Sequence, residues 1–241
     1  FTESDEIGPG FAEMSRKGVD AEGKGFCYFN QRIERLMQDF NRRYLEHVNA
    51  YTGVAYKDDP AIMGLLITNE NDLTSHFGNL MLADKNNPYH NGIFEAAVKA
   101  FADRHGLDPD ATGQTWVPGP AKLFLADWEY QWNRRMLAHL QEVGVKVPVS
   151  TTQMWGGMAL FGLPSLTGGG IIDVHSYGDT EALSTNPRYD SNYVAYIASG
   201  QAYGKPVAIT EWNVPYPKTD RFTSPLYVAS ISALQEWDAP M

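Results

Sequence analysis

Four apolar runs of strand length end abruptly in polar residues. The first, residues 61–68, is an unbroken apolar run that stops at Asn69 and Glu70. A strand that is apolar on both faces is typical of the middle of a parallel sheet, because a strand with one wet face alternates instead. The other runs occupy residues 145–152, 171–177 and 207–210. The sequence therefore predicts a buried, parallel sheet.

Amphipathic segments alternate with these runs. Apolar side chains recur at helical spacing in residues 30–48, 92–105, 120–142, 191–199 and 224–237. Strands and helices that follow one another in this way predict an α/β fold with right-handed crossovers. Two architectures fit, an open doubly wound sheet or part of a (β/α)8 barrel. Residues 1–27 show neither period, and we expect them to form a long surface loop.

Charge and cysteine content exclude several classes of partner. The 241 residues include 29 acidic and 19 basic side chains, for a formal charge of −10. No Lys/Arg cluster offers the stripe that neutralises phosphates, so we expect no nucleic-acid partner. No apolar run approaches the roughly 20 residues of a membrane span, so we expect no membrane partner. Cys27 is the single cysteine and belongs to no Cys/His cluster, and we expect neither metal nor cofactor.

Two of the apolar runs end in the same way. The sequence Ile-Thr precedes the polar residues that lead to Glu70, and it also precedes Glu211. Ligands of parallel α/β folds bind at the carboxyl ends of the strands, so both carboxylates should face one cleft. A pair of this kind suits glycosidic bond cleavage, in which one carboxylic acid protonates the leaving oxygen and the other attacks or stabilises the sugar. For either glutamate alone, a salt bridge or a helix cap is the alternative explanation.

Aromatic and imidazole side chains stand at the other strand ends. Trp155, His175, Tyr177 and Trp212 all follow or terminate an apolar run. Sugar rings stack their C–H faces on Trp and Tyr, while their hydroxyl groups bind polar side chains. Two alternatives remain open: that the tryptophans pack under loops, and that His175 is a hydrogen-bonded core histidine.

Three segments carry a resemblance to a known group of enzymes. In chain order they resemble strands four, six and seven of the clan A glycoside hydrolases, most closely the family-five cellulase and mannanase type; they are residues 64–70, 173–177 and 207–212. The family pattern usually has proline after Asn-Glu, where this chain has Asn71, and often a small residue after the second glutamate, where it has Trp212. These departures bear on subfamily and substrate.

The resemblance implies a role for five residues. Glu70 would be the general acid/base, Asn69 would bind the sugar 2-hydroxyl, and Glu211 would be the nucleophile of a retaining mechanism. His175 and Tyr177 would line the same subsite, with the tyrosine holding the nucleophile. We therefore expect a retaining glycoside hydrolase that cleaves a β-linked oligo- or polysaccharide. A non-catalytic carbohydrate-binding protein on the same scaffold is the alternative.

The number of strands predicts an incomplete barrel. A (β/α)8 barrel needs eight strands in about 250 residues, whereas only about strands four to seven are represented here. By the resemblance, residues 1–241 are one catalytic domain that lacks the N-terminal strands and ends where strand eight should start. An open half-barrel exposes two sheet edges. We therefore expect the remainder of the barrel to come from another segment or chain.

Overall fold

A computed structural model describes residues 1–2, 5–15, 22–178 and 193–241. Six short strands occur within them, and every pairing between them is parallel. β1 pairs with β2, while β3, β4, β5 and β6 pair in that order. The strands are β1 (Leu65–Leu66), β2 (Val149–Ser150), β3 (Gln153–Met154), β4 (Ile172–Tyr177), β5 (Val207–Asn213) and β6 (Ala239–Pro240).

The two sheets are joined through one extended segment. β2 and β3 are separated only by residues 151–152; of the predicted strand over residues 145–152, only β2 is assigned as strand, and β3 follows it. The carbonyl of Pro148 accepts from Leu65 N at 3.0 Å, whereas the next carbonyl, that of Val149, accepts from Gly170 N at 2.8 Å. Successive carbonyls of a strand point to opposite sides, so this segment lies between β1 and the beginning of β4.

Strand order separates the two architectures that the sequence left open. A doubly wound sheet reverses its strand order at a switch point, and a barrel does not. Here the order in space follows the order in the chain throughout the described residues. The molecule is thus an α/β fold of the barrel type.

The run over residues 61–68 is less buried than predicted. Only Leu65 and Leu66 are assigned to β1, and Met63 and Leu66 are 69% and 39% exposed. The prediction of a strand buried on both faces is wrong, because in the described residues β1 has a strand neighbour on one side only. Backbone pairing nevertheless continues past β1, since Thr68 N donates to Thr151 O at 3.1 Å.

The predicted helices are confirmed, with shifted ends. Residues 191–192 of the fourth predicted helix lie outside the described part of the chain. Within that part, no helix is both long enough and apolar enough to cross a membrane. The helices are α1 (Gly10–Met14), α2 (Gln31–Leu45), α3 (Pro88–His105), α4 (Pro109–Gly113), α5 (Pro120–Val143), α6 (Leu163–Leu166), α7 (Tyr193–Ser199) and α8 (Ser224–Gln235).

The first 27 residues are not a surface loop in the parts that the structure describes. Ile7 and Met14 are buried, and so are Phe26 and Cys27. Together with the residues that follow, they fill a hydrophobic core among α2, α3 and α5. A second core surrounds β3, β4 and β5 and is covered by α7 and α8. A packed core needs close contact between side chains but no fixed spacing along the chain, so apolar residues without a period can fill it.

Candidate active site

A β-bulge brings two consecutive residues of β5 to the same side of the sheet. The register between β4 and β5 shifts after Asp173, so that His175 lies opposite Glu211. In a regular strand, neighbours such as Thr210 and Glu211 would point to opposite faces. Here Thr210 Oγ1 lies 2.8 Å from His175 Nε2, and Glu211 Oε2 accepts from the Tyr177 hydroxyl at 2.9 Å. Both residues therefore meet the same face of β4.

Glu70 is held by side chains rather than by a strand. It follows β1 with a φ of +49°, in the left-handed region that side chains other than glycine rarely adopt. Its amide donates to Gln153 Oε1 at 2.6 Å, and its Oε1 lies 2.9 Å from His175 Nδ1. The Glu70 side chain is 21% exposed, whereas that of His175 is fully buried. The carboxylate is thus fixed from below and open to solvent above.

Glu211 approaches the same ring nitrogen of His175 as Glu70 does. Its Oε2 is 3.7 Å from His175 Nδ1, and its side chain is 38% exposed. Partial desolvation, the hydrogen bond to Glu211 and the charges of both glutamates raise the pKa of Tyr177 to about 12. The phenol consequently remains protonated at neutral pH and donates to the carboxylate.

The two predicted catalytic carboxylates face each other. One oxygen of Glu70, one oxygen of Glu211 and a ring nitrogen of His175 all lie within 4.8 Å of one another. This spacing suits two carboxylates that act on one atom, and a small divalent cation could also use it. Acidic groups often cluster in this way without an ion, and hydrogen bonds already engage Glu70 Oε1 and Glu211 Oε2.

A buried polar layer beneath the glutamates was not assigned a role from the sequence. Asp173 is buried and accepts from Thr210 N at 3.1 Å, from Thr210 Oγ1 at 2.6 Å and from Gln153 Nε2 at 3.1 Å. Asp173 stands two residues before His175, so the two-residue period of a strand already puts both on one face. Gln153 and Thr210 carried no comparable signal, because their part depends on β3 and on the bulge.

The two tryptophans at the strand ends are partly covered. Trp155 stacks on His76 with ring centroids 3.5 Å apart and planes at 12°, and Asp72 Oδ1 lies 2.6 Å from His76 Nδ1. Trp212 packs against the second core, and its indole nitrogen donates to Met241 O at 2.7 Å. Asn69 is exposed beside Glu70. Sugar binding by these residues stays a prediction, with one face of Trp155 already occupied by imidazole.

A helical side chain supports the segment that follows Glu70. The buried Glu129 of α5 accepts from Leu73 N at 2.8 Å through Oε2. Burial, followed by the charge of Asp72, raises the pKa of Glu129 to about 8. The Ser165 hydroxyl contacts Glu129 Oε1 at 2.5 Å and Gly162 O at 2.7 Å. Because a carbonyl only accepts, the serine proton can serve Gly162 while protonated Glu129 donates to the serine.

The fold resembles that of two solved glycosidase structures and is an α/β fold of the TIM-barrel type. An endo-1,4-β-D-mannanase from Thermotoga petrophila superposes with a TM-score of 0.53 and 15% identity, over 90% of this chain and 55% of that one. A second structure of an endo-β-1,4-mannanase from Thermotoga petrophila gives the same TM-score and identity, over 90% of this chain and 42% of that one. This chain thus spans about half the length of these structures.

The likeness is one of fold. The sequence matches no protein-family model, and it matches no curated protein. At 15% identity the superposition supports the architecture and leaves activity to be argued from the site.

Proposed function

We propose that this chain is the catalytic part of a retaining glycoside hydrolase that acts on β-linked oligo- or polysaccharides. The observation that carries the proposal is the pair of carboxylates at neighbouring strand ends, with oxygens of Glu70 and Glu211 within 4.8 Å of each other. Retaining enzymes hold their carboxyl groups about 5–5.5 Å apart, and inverting enzymes about 6.5–9.5 Å apart to admit a water. The short separation favours retention.

The environments of the two glutamates suit different roles. In the first step, Glu211 attacks the anomeric carbon, the glycosidic bond breaks, and the proton of Glu70 goes to the leaving oxygen. In the second step, Glu70 takes a proton from water, whose oxygen attacks the same carbon and releases Glu211. Tyr177 supports the nucleophile assignment, since its hydroxyl orients Glu211 while staying protonated. His175 supports the acid/base assignment, since its Nδ1 is closer to Glu70.

A β-mannan is the substrate to try first. The superposed proteins are β-1,4-mannanases, and the glutamate pair would act on any β-linked sugar that the cleft admits. We propose that Asn69, which is exposed beside Glu70, binds the 2-hydroxyl of the sugar. We assign a sugar platform to the face of Trp155 that does not stack on His76, with Trp212 forming the cleft wall from its packed position.

We place the whole of residues 1–241 in this catalytic domain. In the described residues β1 and β6 each have one strand neighbour, and an unpaired edge of this kind is a template for further strands. The proposal is that additional strands, from another segment or chain, pair with these edges and close the barrel. The exposure of Leu66 in β1 and of Met63 just before it supports it.

Hydrolysis of defined substrates tests the proposal. Aryl β-mannosides and β-glucosides, together with mannan, β-glucan and galactan, should reveal turnover by the wild-type protein. Glu70→Gln and Glu211→Gln should each abolish most of it, while Asp103→Asn on the exposed face of α3 should not. Proton NMR of the first-formed product should show the β-anomer. Full turnover by both glutamate variants would refute the proposal, and oligosaccharide binding without any product would favour a binding protein.

A further inference from the structure

Five side chains and one backbone amide close a ring of hydrogen bonds beneath the cleft. The ring runs from Glu70 N to Gln153, from Gln153 to Asp173, from Asp173 to Thr210, from Thr210 to His175, and from His175 back to the carboxylate of Glu70. Asp173 and His175 are buried. Each hydrogen in a closed ring serves one acceptor, so the direction of one bond constrains the next.

The direction of the first bonds follows from the backbone. A backbone N–H only donates, so the atom of the Gln153 side chain that contacts Glu70 N must be the acceptor, Oε1. The side-chain nitrogen Nε2 of Gln153 then donates to Asp173 Oδ2 at 3.1 Å. Asp173 Oδ1 accepts from Thr210 N at 3.1 Å. Both carboxylate oxygens therefore face donors, and Asp173 is the acceptor at each of its contacts.

The threonine then determines which imidazole nitrogen carries a proton. Thr210 Oγ1 has one hydrogen, which goes to Asp173 Oδ2 at 2.6 Å. The same oxygen lies 2.8 Å from His175 Nε2 and must accept there. His175 consequently bears a hydrogen on Nε2, whatever the state of Nδ1.

We propose that Asp173, acting through Thr210, is a positioning residue that fixes the Nε2-protonated form of His175, so that His175 Nδ1 and Glu70 hold a single proton between them. The proposal rests on the proposed glycosidase function and extends it to the source of the acid's proton. With one proton the 2.9 Å contact is satisfied in two ways, as a carboxylic acid donating to neutral imidazole or as a carboxylate accepting from imidazolium. Glu70 can therefore take the proton from His175 Nδ1 and donate it to the leaving oxygen in the cleft.

Loss of that proton prepares the second step of the reaction. Once Glu70 has given its proton to the leaving group, its carboxylate faces the lone pair of Nδ1 at 2.9 Å. Two acceptors in contact repel each other, which makes the pair a stronger base toward the incoming water. Among the described residues, the charged groups that contact His175 are Glu70, Glu211 and Asp173, and the titratable Tyr177 hydroxyl binds Glu211 beside it. The negative charges among these groups favour retention of the proton that His175 and Glu70 share.

The tautomer can be measured without any turnover. In the full chain labelled with ¹⁵N-histidine, the six imidazoles give Nδ1 and Nε2 resonances, and a His175→Gln variant assigns the pair for His175. We expect a hydrogen on Nε2 from pH 5 to 8. In Asp173→Asn the new side-chain amide can donate to Thr210, whose hydroxyl then turns to Nε2, and the Nε2 hydrogen should be lost. A wild-type His175 with bare Nε2 would overturn the proposal.

Kinetics then test the consequence for the acid. With a poor leaving group, Asp173→Asn and Thr210→Val should lower kcat/KM about 10- to 100-fold. The alkaline limb of the pH profile of kcat/KM should move to lower pH by about one unit. With a dinitrophenyl leaving group, which needs no proton, the loss should stay below about threefold. Thr210→Ser keeps the hydroxyl and should restore the wild-type pH profile, and Asp103→Asn controls for charge.

The failures of the two proposals are distinguishable. If Glu70→Gln and Glu211→Gln keep full activity, the glycosidase function fails whatever the tautomer. If those two variants are inactive while Thr210→Val, folded by thermal melting, has the wild-type alkaline limb, only the positioning role fails. If Asp173→Asn does not fold, the comparison of Thr210→Val with Thr210→Ser still tests the kinetic prediction. The ¹⁵N spectrum of the wild-type protein still tests which nitrogen of His175 carries the hydrogen.

Discussion

Glu70 and Glu211 meet at one histidine but are supported by different kinds of structure. Glu211 lies within the seven-residue strand β5, with β4 on one side and β6 on the other. Glu70 follows the two-residue strand β1, which has one neighbour in the described residues, and its φ is +49°. A backbone ladder sets the position of Glu211, whereas side-chain hydrogen bonds set that of Glu70.

The difference suits the two proposed roles. A nucleophile must approach one atom along one line, so a rigid strand is an appropriate support. An acid/base must change its protonation state twice in each cycle, so its neighbours must tolerate both states. The Glu70 side is built from groups that exchange or share protons, namely His175 in contact with it and Glu129 behind Leu73. We expect substitutions on the two sides to have different signatures.

The largest effect should follow removal of the nucleophile. Glu211→Ala should lower kcat by about 10⁴-fold or more, because no covalent intermediate can form. With an aryl β-glycoside, added azide should restore turnover and give an α-glycosyl azide, since azide replaces the missing carboxylate. The product anomer is read by NMR. A β-glycosyl azide from this variant would show that the roles assigned to the two glutamates are reversed.

Removal of the acid should have a smaller effect that depends on the leaving group. Glu70→Gln should slow hydrolysis of natural linkages by about 10²- to 10⁴-fold. Aryl glycosides with acidic phenols should be cleaved in the first step at nearly the wild-type rate, and azide should now give the β-glycosyl azide. Burst kinetics measure the first step. An equal loss for all leaving groups would contradict an acid/base role.

Stability should depend on pH through the Glu70 side. The pKa of Glu129 is raised from 4.5 to about 8 in the folded state, so its contribution is fully present below about pH 4.5 and is lost as pH rises through about 8. We expect the wild type to lose on the order of 3 kcal/mol relative to Glu129→Gln over this range. Urea unfolding at each pH measures this difference.

An exposed glutamate on the same helix provides the control. Glu142→Gln on α5 should follow the wild-type pH dependence, because Glu142 is exposed. Hydrogen exchange should also show that the Leu73 amide, which donates to Glu129, loses protection above pH 8 before the amides of β5 do. Parallel loss in both regions would remove the contrast between the two supports.

The smallest effects should come from one hydrogen bond on each side. Gln153→Ala removes the acceptor of Glu70 N, and Tyr177→Phe removes the donor to Glu211. Each bond contributes about 1 kcal/mol, so each variant should lose about fivefold in kcat/KM. Gln153→Ala should lose more with poor leaving groups, and Tyr177→Phe should lose equally with all. Identical leaving-group dependence in both variants would show that the two supports are coupled.

Much of the scaffold was predictable because its signals are local. Gly144, which takes a φ of +98°, ends α5 where the pattern over residues 120–142 stops. The ends of the apolar runs marked Glu70, His175, Tyr177 and Glu211, and the structure brings these four together. Apolar character alone did not predict the exposure near β1, because burial depends on which strands lie alongside.

The sequence by itself determined which residues stand at strand ends, because the periodicity of apolar side chains and the polar stops are written along the chain. Tertiary structure decided the rest. The bulge in β5 turns Thr210 and Glu211 to one face, and the ring through Gln153 and Asp173 forms only when β3, β4 and β5 lie side by side. Hydrogen-bond direction depends on contacts between residues far apart in sequence, and no local pattern encodes it.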